Sequence, residues 1–289
     1  MLMITAVIWG SAFVAQSVGM DHVGPFTFTA ARSFVGFVVL LPVIFLMDAL
    51  RRREGAQAAP GSRRDLILGG VACGVILCVA NSLQQVGMAM GTSAGKAGFI
   101  TALYILGVPL LGLLLGKRVR PVIWLCVAMS IGGLYLLCVT EGLESVQKSD
   151  LMVLLCAVCF AGHIQVIDYF SPRVDGVRMS CIQFLVCGIL ASVPMMLTEE
   201  PCWSDLVDGA MPILYAGVMS SGVAYTLQIV GQKYTNPTVA SMIMSLESVF
   251  AMLTGVVVLG DFPTAREVLG SAVMFAAIII AQLPEKKRI

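Results

Sequence analysis

The chain has 289 residues, of which 58% are hydrophobic and only 12% are charged, and its mean hydropathy is +0.93. This composition excludes an ordinary soluble domain and predicts an all-α integral membrane protein in contact with the lipid bilayer. The formal net charge of +1, with the basic residues confined to loops, does not indicate a nucleic-acid partner.

Apolar segments follow one another along nearly the whole chain, each close to the roughly 20 residues that cross a bilayer as a helix. The first segment has no basic residues before it and no convincing cleavage site after it, which favours a spanning helix over a signal peptide. We predict ten transmembrane helices, at about residues 1–20, 25–48, 66–88, 96–116, 121–139, 151–167, 179–197, 209–231, 237–260 and 268–283.

The eighth and ninth predicted helices repeat the third and fourth at a constant spacing. VANSLQQVG at 79–87 aligns without a gap with VAYTLQIVG at 223–231, and Leu115-Gly116 aligns with Leu259-Gly260. An ungapped register of this length is typical of a duplicated unit. We therefore predict two repeats of five helices each, residues 1–140 and 151–284.

The two repeats should have opposite orientations in the membrane, because each contains an odd number of helices. The distribution of basic residues tests this expectation. With the N-terminus in the cytoplasm, the inner loops hold Arg51, Arg52, Arg53, Arg63, Arg64, Lys117, Arg118, Arg120, Arg173, Arg178, Lys233, Lys286, Lys287 and Arg288, and the outer loops hold Lys148 and Arg266. This positive-inside bias predicts a multi-pass protein with both termini in the cytoplasm. Two inverted repeats are typical of a secondary transporter whose binding site lies near the midplane.

Cysteine is frequent, but its placement does not indicate a disulfide framework. Eight of the nine cysteines lie inside predicted spans, and Cys202 lies in a loop. Cys156 and Cys159 form a C-x-x-C motif without a second pair or clustered histidines. We interpret these thiols as small apolar side chains and predict no metal site, no cofactor and no catalytic residues.

Three stretches carry a resemblance to a known family: WGSAFVAQ at 9–16, AARSF at 30–34 and LESVFAMLTGVVVLGD at 246–261. They resemble the EamA family of the drug/metabolite transporter superfamily, and the resemblance extends over the whole chain. It implies ten helices in a 5+5 inverted repeat, and export of amino acids or other metabolites. The chain departs from the family pattern at Lys117, where an acidic residue is frequent, and at Ser248, where a proline often follows the Glu of the ninth helix.

Glu247 is the leading candidate for a functional side chain. It lies ten residues after Pro237, which at 1.5 Å per residue places it near the bilayer centre. An ionisable group at this depth usually faces a partner or a watery cavity and marks a substrate or proton path. The alternative is a structural Glu hydrogen-bonded to neighbouring helices. Its counterpart in the first repeat is Leu103, which predicts an asymmetric site.

His163 lies at a similar depth in the sixth predicted helix. It is a candidate second proton group or a partner of Glu247. The alternative is a neutral imidazole that donates to a backbone or hydroxyl oxygen.

Polar side chains form a face on two of the predicted helices. On the third helix they are Asn81, Gln84 and Gln85, which share their face with Met88, and on the eighth they are Ser221, Tyr225, Gln228 and Gln232. Such residues line a cavity for a polar solute or join helices, at about 1 kcal/mol each. The matched pair Gln84 and Gln228 favours the lining, because the repeat would place both at equivalent depth.

Further candidates for the cavity lining are Trp9, Gln16, Thr101 and Tyr104. Arg32 and Lys96 lie towards the outer side of their helices. They either extend to the interface or form a positively charged vestibule for an anionic group such as a carboxylate.

Together these patterns predict a secondary transporter that exports small polar, amino-acid-like solutes across the bacterial cytoplasmic membrane by alternating access. Protons are candidate coupling ions, and monomer and homodimer both remain open. The alternatives are an exchanger of phosphorylated or nucleotide-linked metabolites and a passive channel. An intramembrane enzyme would need a cluster of His and acidic residues; the chain has two His, and we do not expect an enzyme.

Overall fold

The computed structural model describes residues 1–54, 62–92, 94–138, 147–259 and 264–283, and throughout these ranges the regular structure is helical. The α-helices are α1 Leu2–Met20, α2 Pro25–Arg53, α3 Arg63–Ala89, α4 Ala94–Ala102, α5 Tyr104–Leu114, α6 Pro121–Cys138, α7 Lys148–Phe170, α8 Gly176–Thr198, α9 Trp203–Asp208, α10 Ala210–Tyr215, α11 Thr226–Gln232, α12 Pro237–Met244, α13 Glu247–Leu259 and α14 Ala265–Gln282. A 3₁₀ turn covers Ser171–Arg173, and a π-helical stretch covers Ala216–Tyr225.

Local sequence explains where several helices begin. Pro25, Pro121 and Pro237 open α2, α6 and α12, at a position where the missing N–H costs no hydrogen bond. Asp175 caps α8 by accepting from the backbone N–H groups of Val177 and Arg178, both at 3.1 Å.

The lengths of the helices agree with an all-α membrane protein. In the described ranges, eight helical segments are long and apolar enough to cross a bilayer, and two shorter apolar helices cover Pro121–Leu136 and Val268–Ala281. The shorter helices fall on the fifth and tenth predicted spans. The membrane class is confirmed, whereas the count of ten crossings stays a prediction.

Interrupted helices replace the continuous spans that the sequence predicts at three places in the described chain. Leu103 separates α4 from α5, residues 245 and 246 separate α12 from α13, and the π-helical stretch lies between α10 and α11. At the first two breaks the backbone tightens into i→i−3 bonds, from Leu103 N to Ile100 O at 3.2 Å and from Leu246 N to Ile243 O at 3.3 Å. A further difference is α9, which lies between the seventh and eighth predicted helices, where the sequence predicts a loop around Cys202.

The principal packing pairs are α3 with α7 and α8, α2 with α8, and α6 with α14. Ion pairs fix the direction of α7 relative to the interrupted helix α4–α5. Lys96 Nζ lies 2.6 Å from Asp150 Oδ2 at the start of both, and Lys117 Nζ lies 2.6 Å from Asp168 Oδ2 at the end of both. The two helices therefore run parallel.

The helices α1 and α7 begin at opposite ends of the molecule. Leu2 packs against Gly231 at the end of α11, and the neighbouring Val230 packs against Gly176, which opens α8. The α8 start also holds Arg178, whose Nη2 lies 2.6 Å from Asp48 Oδ1. We name this end, with Arg51, Lys117, Arg120, Arg173 and Arg178, the basic end; α7 begins at the opposite end, beside Thr92 and Lys96.

Small residues bring the central helices into close contact. A Cβ atom on Gly10 of α1 would lie 2.6 Å from the carbonyl oxygen of Glu247 and 2.7 Å from the backbone nitrogen of Ala251. Glycine at this position therefore allows α1 to lie directly against the first turn of α13. This close packing fixes the position of Glu247 in the middle of the bundle.

Candidate functional site

A narrow cavity lies in the centre of the bundle. It lies where α1, α2, α3, α7 and the π-helical stretch meet the interrupted helices α4–α5 and α12–α13. It is lined by Trp9, Ala12, Phe13, Gln16, Arg32, Gln84, Thr101, Tyr104, Phe160, Ser220, Tyr225 and Glu247. In this conformation it has room for only about two water molecules. A solute as large as an amino acid can bind only if the surrounding helices move apart.

Glu247 is buried, with 3% of its surface exposed. It is the first residue of α13, where the helix dipole stabilises a negative charge. Its Oε1 accepts a hydrogen bond from the Tyr104 hydroxyl at 3.3 Å. Tyr104 is the first residue of α5, so the two helix breaks bring the first residues that follow them into contact.

Arg32 of α2 is also buried, with 2% of its surface exposed. Its Nη1 donates to Gln16 Oε1 at 3.0 Å. Within the described part of the chain its Nε has no hydrogen-bond partner, and no carboxylate forms an ion pair with it. The cavity wall therefore holds a guanidinium group that is incompletely bound by the protein.

Aromatic and amide side chains complete the wall. The rings of Trp9 and Tyr225 lie with centroids 4.6 Å apart, and the Trp9 Nε1 has no described acceptor. Gln84 Nε2 donates to Thr101 Oγ1 at 2.9 Å, which connects α3 to α4. The lining thus combines two ionisable groups with aromatic surface and uncharged polar groups.

The structure brings most of the sequence-predicted residues together in this cavity. Trp9, Gln16, Arg32, Gln84, Thr101, Tyr104, Tyr225 and Glu247 all line it. His163 lies elsewhere: its Nε2 is 3.1 Å from Gln183 Oε1 of α8, and its ring packs edge-on against Tyr225. The described hydrogen bond to Glu247 comes from Tyr104 instead.

Asn81 and Gln228 are also outside the lining. Both amide atoms of Asn81 are buried without a described partner, and Gln228 Nε2 donates to Gln232 Oε1 at 2.9 Å within its own helix. Gln84 and Gln228 occupy matched sequence positions but different environments. The π-helical stretch before Gln228 changes the register of that helix, whereas α3 is α-helical throughout.

Sequence reasoning missed several lining residues. Ala12, Phe13 and Phe160 are apolar residues in apolar helices, and no sequence pattern separates them from ordinary packing residues. Ser220 offered a weak signal, because it lies in the Ser220-Ser221-Gly222 cluster of the eighth predicted span. Among the described residues, no three His, Cys, Asp or Glu side chains lie close enough together to hold a metal ion.

Comparison with known proteins places this arrangement in context. The model of the EamA-like transporter family matches residues 1–139 and again residues 147–282. An uncharacterized transporter of Archaeoglobus fulgidus is 28% identical over 98% of this chain and 84% of its own length. The uncharacterized transporter YwfM of Bacillus subtilis is 22% identical over 99% of this chain and 94% of its own.

A third relative, the uncharacterized inner membrane transporter YedA of Escherichia coli K12, is 20% identical over 96% of this chain and 88% of its own. A solved crystal structure with 18% sequence identity superposes with a TM-score of 0.77, covering 97% of this chain and 95% of the other. This likeness shows the fold, and the sequence matches show the family.

Proposed function

This chain belongs to the EamA-like transporter family, and from that premise we propose that it is a secondary transporter of small polar, amino-acid-like solutes. It is a multi-pass membrane protein, and the proposed direction is export across the bacterial cytoplasmic membrane by alternating access. The proposed driving ion is the proton, with Glu247 as the coupling group.

The observation that carries the proposal is the central cavity. Helices from both halves of the chain contribute to it, and it holds a buried carboxyl group, a buried guanidinium and uncharged polar groups in one lining. Ionisable side chains are costly at membrane depth and mark solute or proton paths. A cavity of this composition suits a small polar solute, not a lipid or an apolar drug.

Symmetric packing supports a 5+5 inverted repeat. The contact between α3 and α7 has a counterpart in the contact between α1 and the segment α10–α11. In addition, α2 packs against α8, and α6 packs against α14. Each of these two pairs joins helices at equivalent positions of the two repeats. The family model matches the chain twice, and α1 and α7 begin at opposite ends. In such an arrangement, rocking one repeat against the other exposes the central site to each side in turn.

The test is transport by purified protein in proteoliposomes, with labelled neutral amino acids and a set of internal and external pH values. We expect the wild-type protein to accumulate solute in response to a pH gradient. We expect Glu247→Gln to lose this response, because the amide cannot carry the proton. Tyr104→Phe removes the hydrogen bond to Glu247 and keeps the carboxyl group, so pH-driven transport should persist with a changed profile.

Equal pH dependence of transport in the wild type and in Glu247→Gln would show that Glu247 is not the proton-coupling group. Counterflow separates a carrier from the passive channel, because only a carrier exchanges labelled for unlabelled solute against a gradient. Absence of counterflow with every solute tested would contradict the transporter mechanism itself.

The alternative of a phosphorylated or nucleotide-linked substrate has less support. Phosphate groups need several cations, and the lining contains Arg32 as its described cation. Lys96, the second candidate, forms an ion pair with Asp150 at 2.6 Å. The central cavity therefore favours a substrate with at most one anionic group.

A further inference from the structure

Arg32 and Glu247 differ from Asp150, the other Asp, Glu, Lys or Arg side chain that is buried in the described chain. Asp150 meets Lys96 at 2.6 Å, and three further ion pairs at helix ends join Lys117 with Asp168, Arg51 with Asp175 and Arg178 with Asp48, at 2.6–3.0 Å. In the same ranges, neither Arg32 nor Glu247 takes part in an ion pair, although both are more deeply buried than these partners.

Leaving a buried charge without a counterion is costly, and Asp150 avoids this cost by pairing with Lys96. Arg32 and Glu247 have no such partner, carry groups of opposite sign and line the same cavity. Each has a neutral hydrogen-bonding neighbour, Gln16 for Arg32 and Tyr104 for Glu247. The protein thus orients both groups without neutralising either, and a ligand can supply the missing charges.

We propose that Arg32 and Glu247 are the two poles of a zwitterion-binding site, in which Arg32 binds the carboxylate and Glu247 binds the ammonium group of an α-amino acid. The assignment rests on the proposed transport function and specifies the chemistry of its substrate.

Geometry and charge both favour this occupant. A guanidinium offers two parallel N–H donors to a carboxylate, and the Nε of Arg32 has no described partner. An ionised Glu247 and Arg32 together give the lining a formal charge of zero, which matches the net charge of a zwitterion. A carboxylate alone would leave Glu247 unpaired, and an amine alone would leave Arg32 unpaired.

The remaining lining indicates the side chain of the substrate. Phe13, Phe160, Trp9 and Tyr225 provide aromatic surface, and Ala12 provides a small apolar patch. No third ionisable carboxyl, amine or guanidinium lines the described cavity. The site therefore suits an amino acid with an uncharged side chain, and aromatic or aliphatic substrates should bind better than lysine or glutamate.

The experiment uses three matched ligands: L-phenylalanine, 3-phenylpropanoate, which lacks the ammonium group, and phenethylamine, which lacks the carboxylate. Binding to the purified full-length protein is measured by ligand-induced thermal stabilisation, and transport by counterflow. For the wild type we expect L-phenylalanine to bind at least about tenfold more tightly than either analogue, because each analogue leaves one buried charge unpaired.

Two variants should each lose the preference for L-phenylalanine over one of the analogues. Arg32→Gln removes the unpaired cation, so phenethylamine should bind as well as L-phenylalanine or better. Glu247→Gln removes the unpaired anion, so 3-phenylpropanoate should do the same. Arg32→Lys keeps the charge and should keep the wild-type order, and Arg52→Gln and Glu200→Gln are exposed controls that should not change it.

A wild-type protein that binds all three ligands equally would overturn the zwitterion site, as would variants that weaken all three in proportion. If Arg32→Gln fails to fold, the wild-type order and Arg32→Lys still decide the question. Counterflow of another solute, without preference for amino acids, would reject the zwitterion site but would still agree with a transporter function. Failure of counterflow with all solutes would reject the proposed function.

Discussion

At the scale of single residues, polar side chains in this protein serve mainly to connect elements that are distant in sequence. Glu199, just after α8, accepts from the backbone N–H groups of Phe26 and Thr27, both at 2.8 Å, and from the Thr27 hydroxyl at 2.6 Å. The carboxylate thereby satisfies free N–H groups in the first turn of α2 and meets the positive end of its dipole. One side chain thus joins the end of α8 to the start of α2.

Replacing Glu199 by Ala should destabilise the protein by about 1–2 kcal/mol, because two backbone donors and a hydroxyl lose their acceptor. The measurement is the thermal unfolding of detergent-purified protein. Glu200→Ala is the matched control, since Glu200 is the exposed neighbouring carboxylate. Equal stability of the two variants would show that the capping contact contributes nothing measurable.

At the scale of elements, the helix break before Glu247 is the feature with the greatest consequence for the site. The break occurs although the residue that follows Glu247 is Ser248 and not proline. Ser248 N donates to Ser245 O at 3.3 Å, and the α-helical pattern resumes with Phe250 N to Leu246 O at 2.9 Å. Ser248 lies in the first turn of α13, where proline fits a helix.

We therefore expect Ser248→Pro to fold and to be less destabilised in thermal unfolding than Phe250→Pro, although it loses the 3.3 Å bond from Ser248 N to Ser245 O. Phe250→Pro should lose about 3 kcal/mol or more, because it removes a helical hydrogen bond and its ring clashes with the preceding turn. Ser248→Ala and Phe250→Ala separate the loss of the side chains from the backbone effect. If Ser248→Pro were as strongly destabilised as Phe250→Pro, the chain after the break would already need a regular helical backbone at residue 248.

At the scale of the whole molecule, the distribution of charge predicts the orientation in the membrane. The basic end holds Arg51, Lys117, Arg120, Arg173 and Arg178, and the positive-inside rule assigns such an end to the cytoplasm. Cys202 follows α8 and lies beyond the opposite end. It is exposed, whereas the other described cysteines are buried or half-buried.

Cys202 is thus a natural reporter of orientation. Its Sγ lies 3.1 Å from Ser204 Oγ, and the Ser204 hydrogen bond lowers the pKa of the Cys202 thiol, which favours the thiolate that reacts with maleimides. We expect a membrane-impermeant maleimide to label the protein in intact spheroplasts, and Cys202→Ser to abolish this labelling. Labelling confined to inside-out vesicles would reverse the assigned orientation.

The sequence by itself determined the membrane class and the family, and it indicated several candidates for the cavity lining. These follow from local quantities: apolar segments long enough to cross a bilayer, an ungapped internal repeat, and ionisable residues such as Arg32 and Glu247 inside apolar helices. A polar group in such a helix is costly wherever it lies, so its presence is informative before any contact is known.

Tertiary structure decided which polar residues meet. It placed Tyr104, not His163, against Glu247, and it put Gln84 in the cavity but Gln228 outside it. The helix breaks at Leu103 and before Glu247, and the π-helical stretch at Ala216–Tyr225, contain no proline themselves, and Pro109 and Pro212 lie outside them in α5 and α10. Packing contacts such as that of Gly10 against α13 join residues far apart in the chain, so local sequence patterns do not reveal which helices meet.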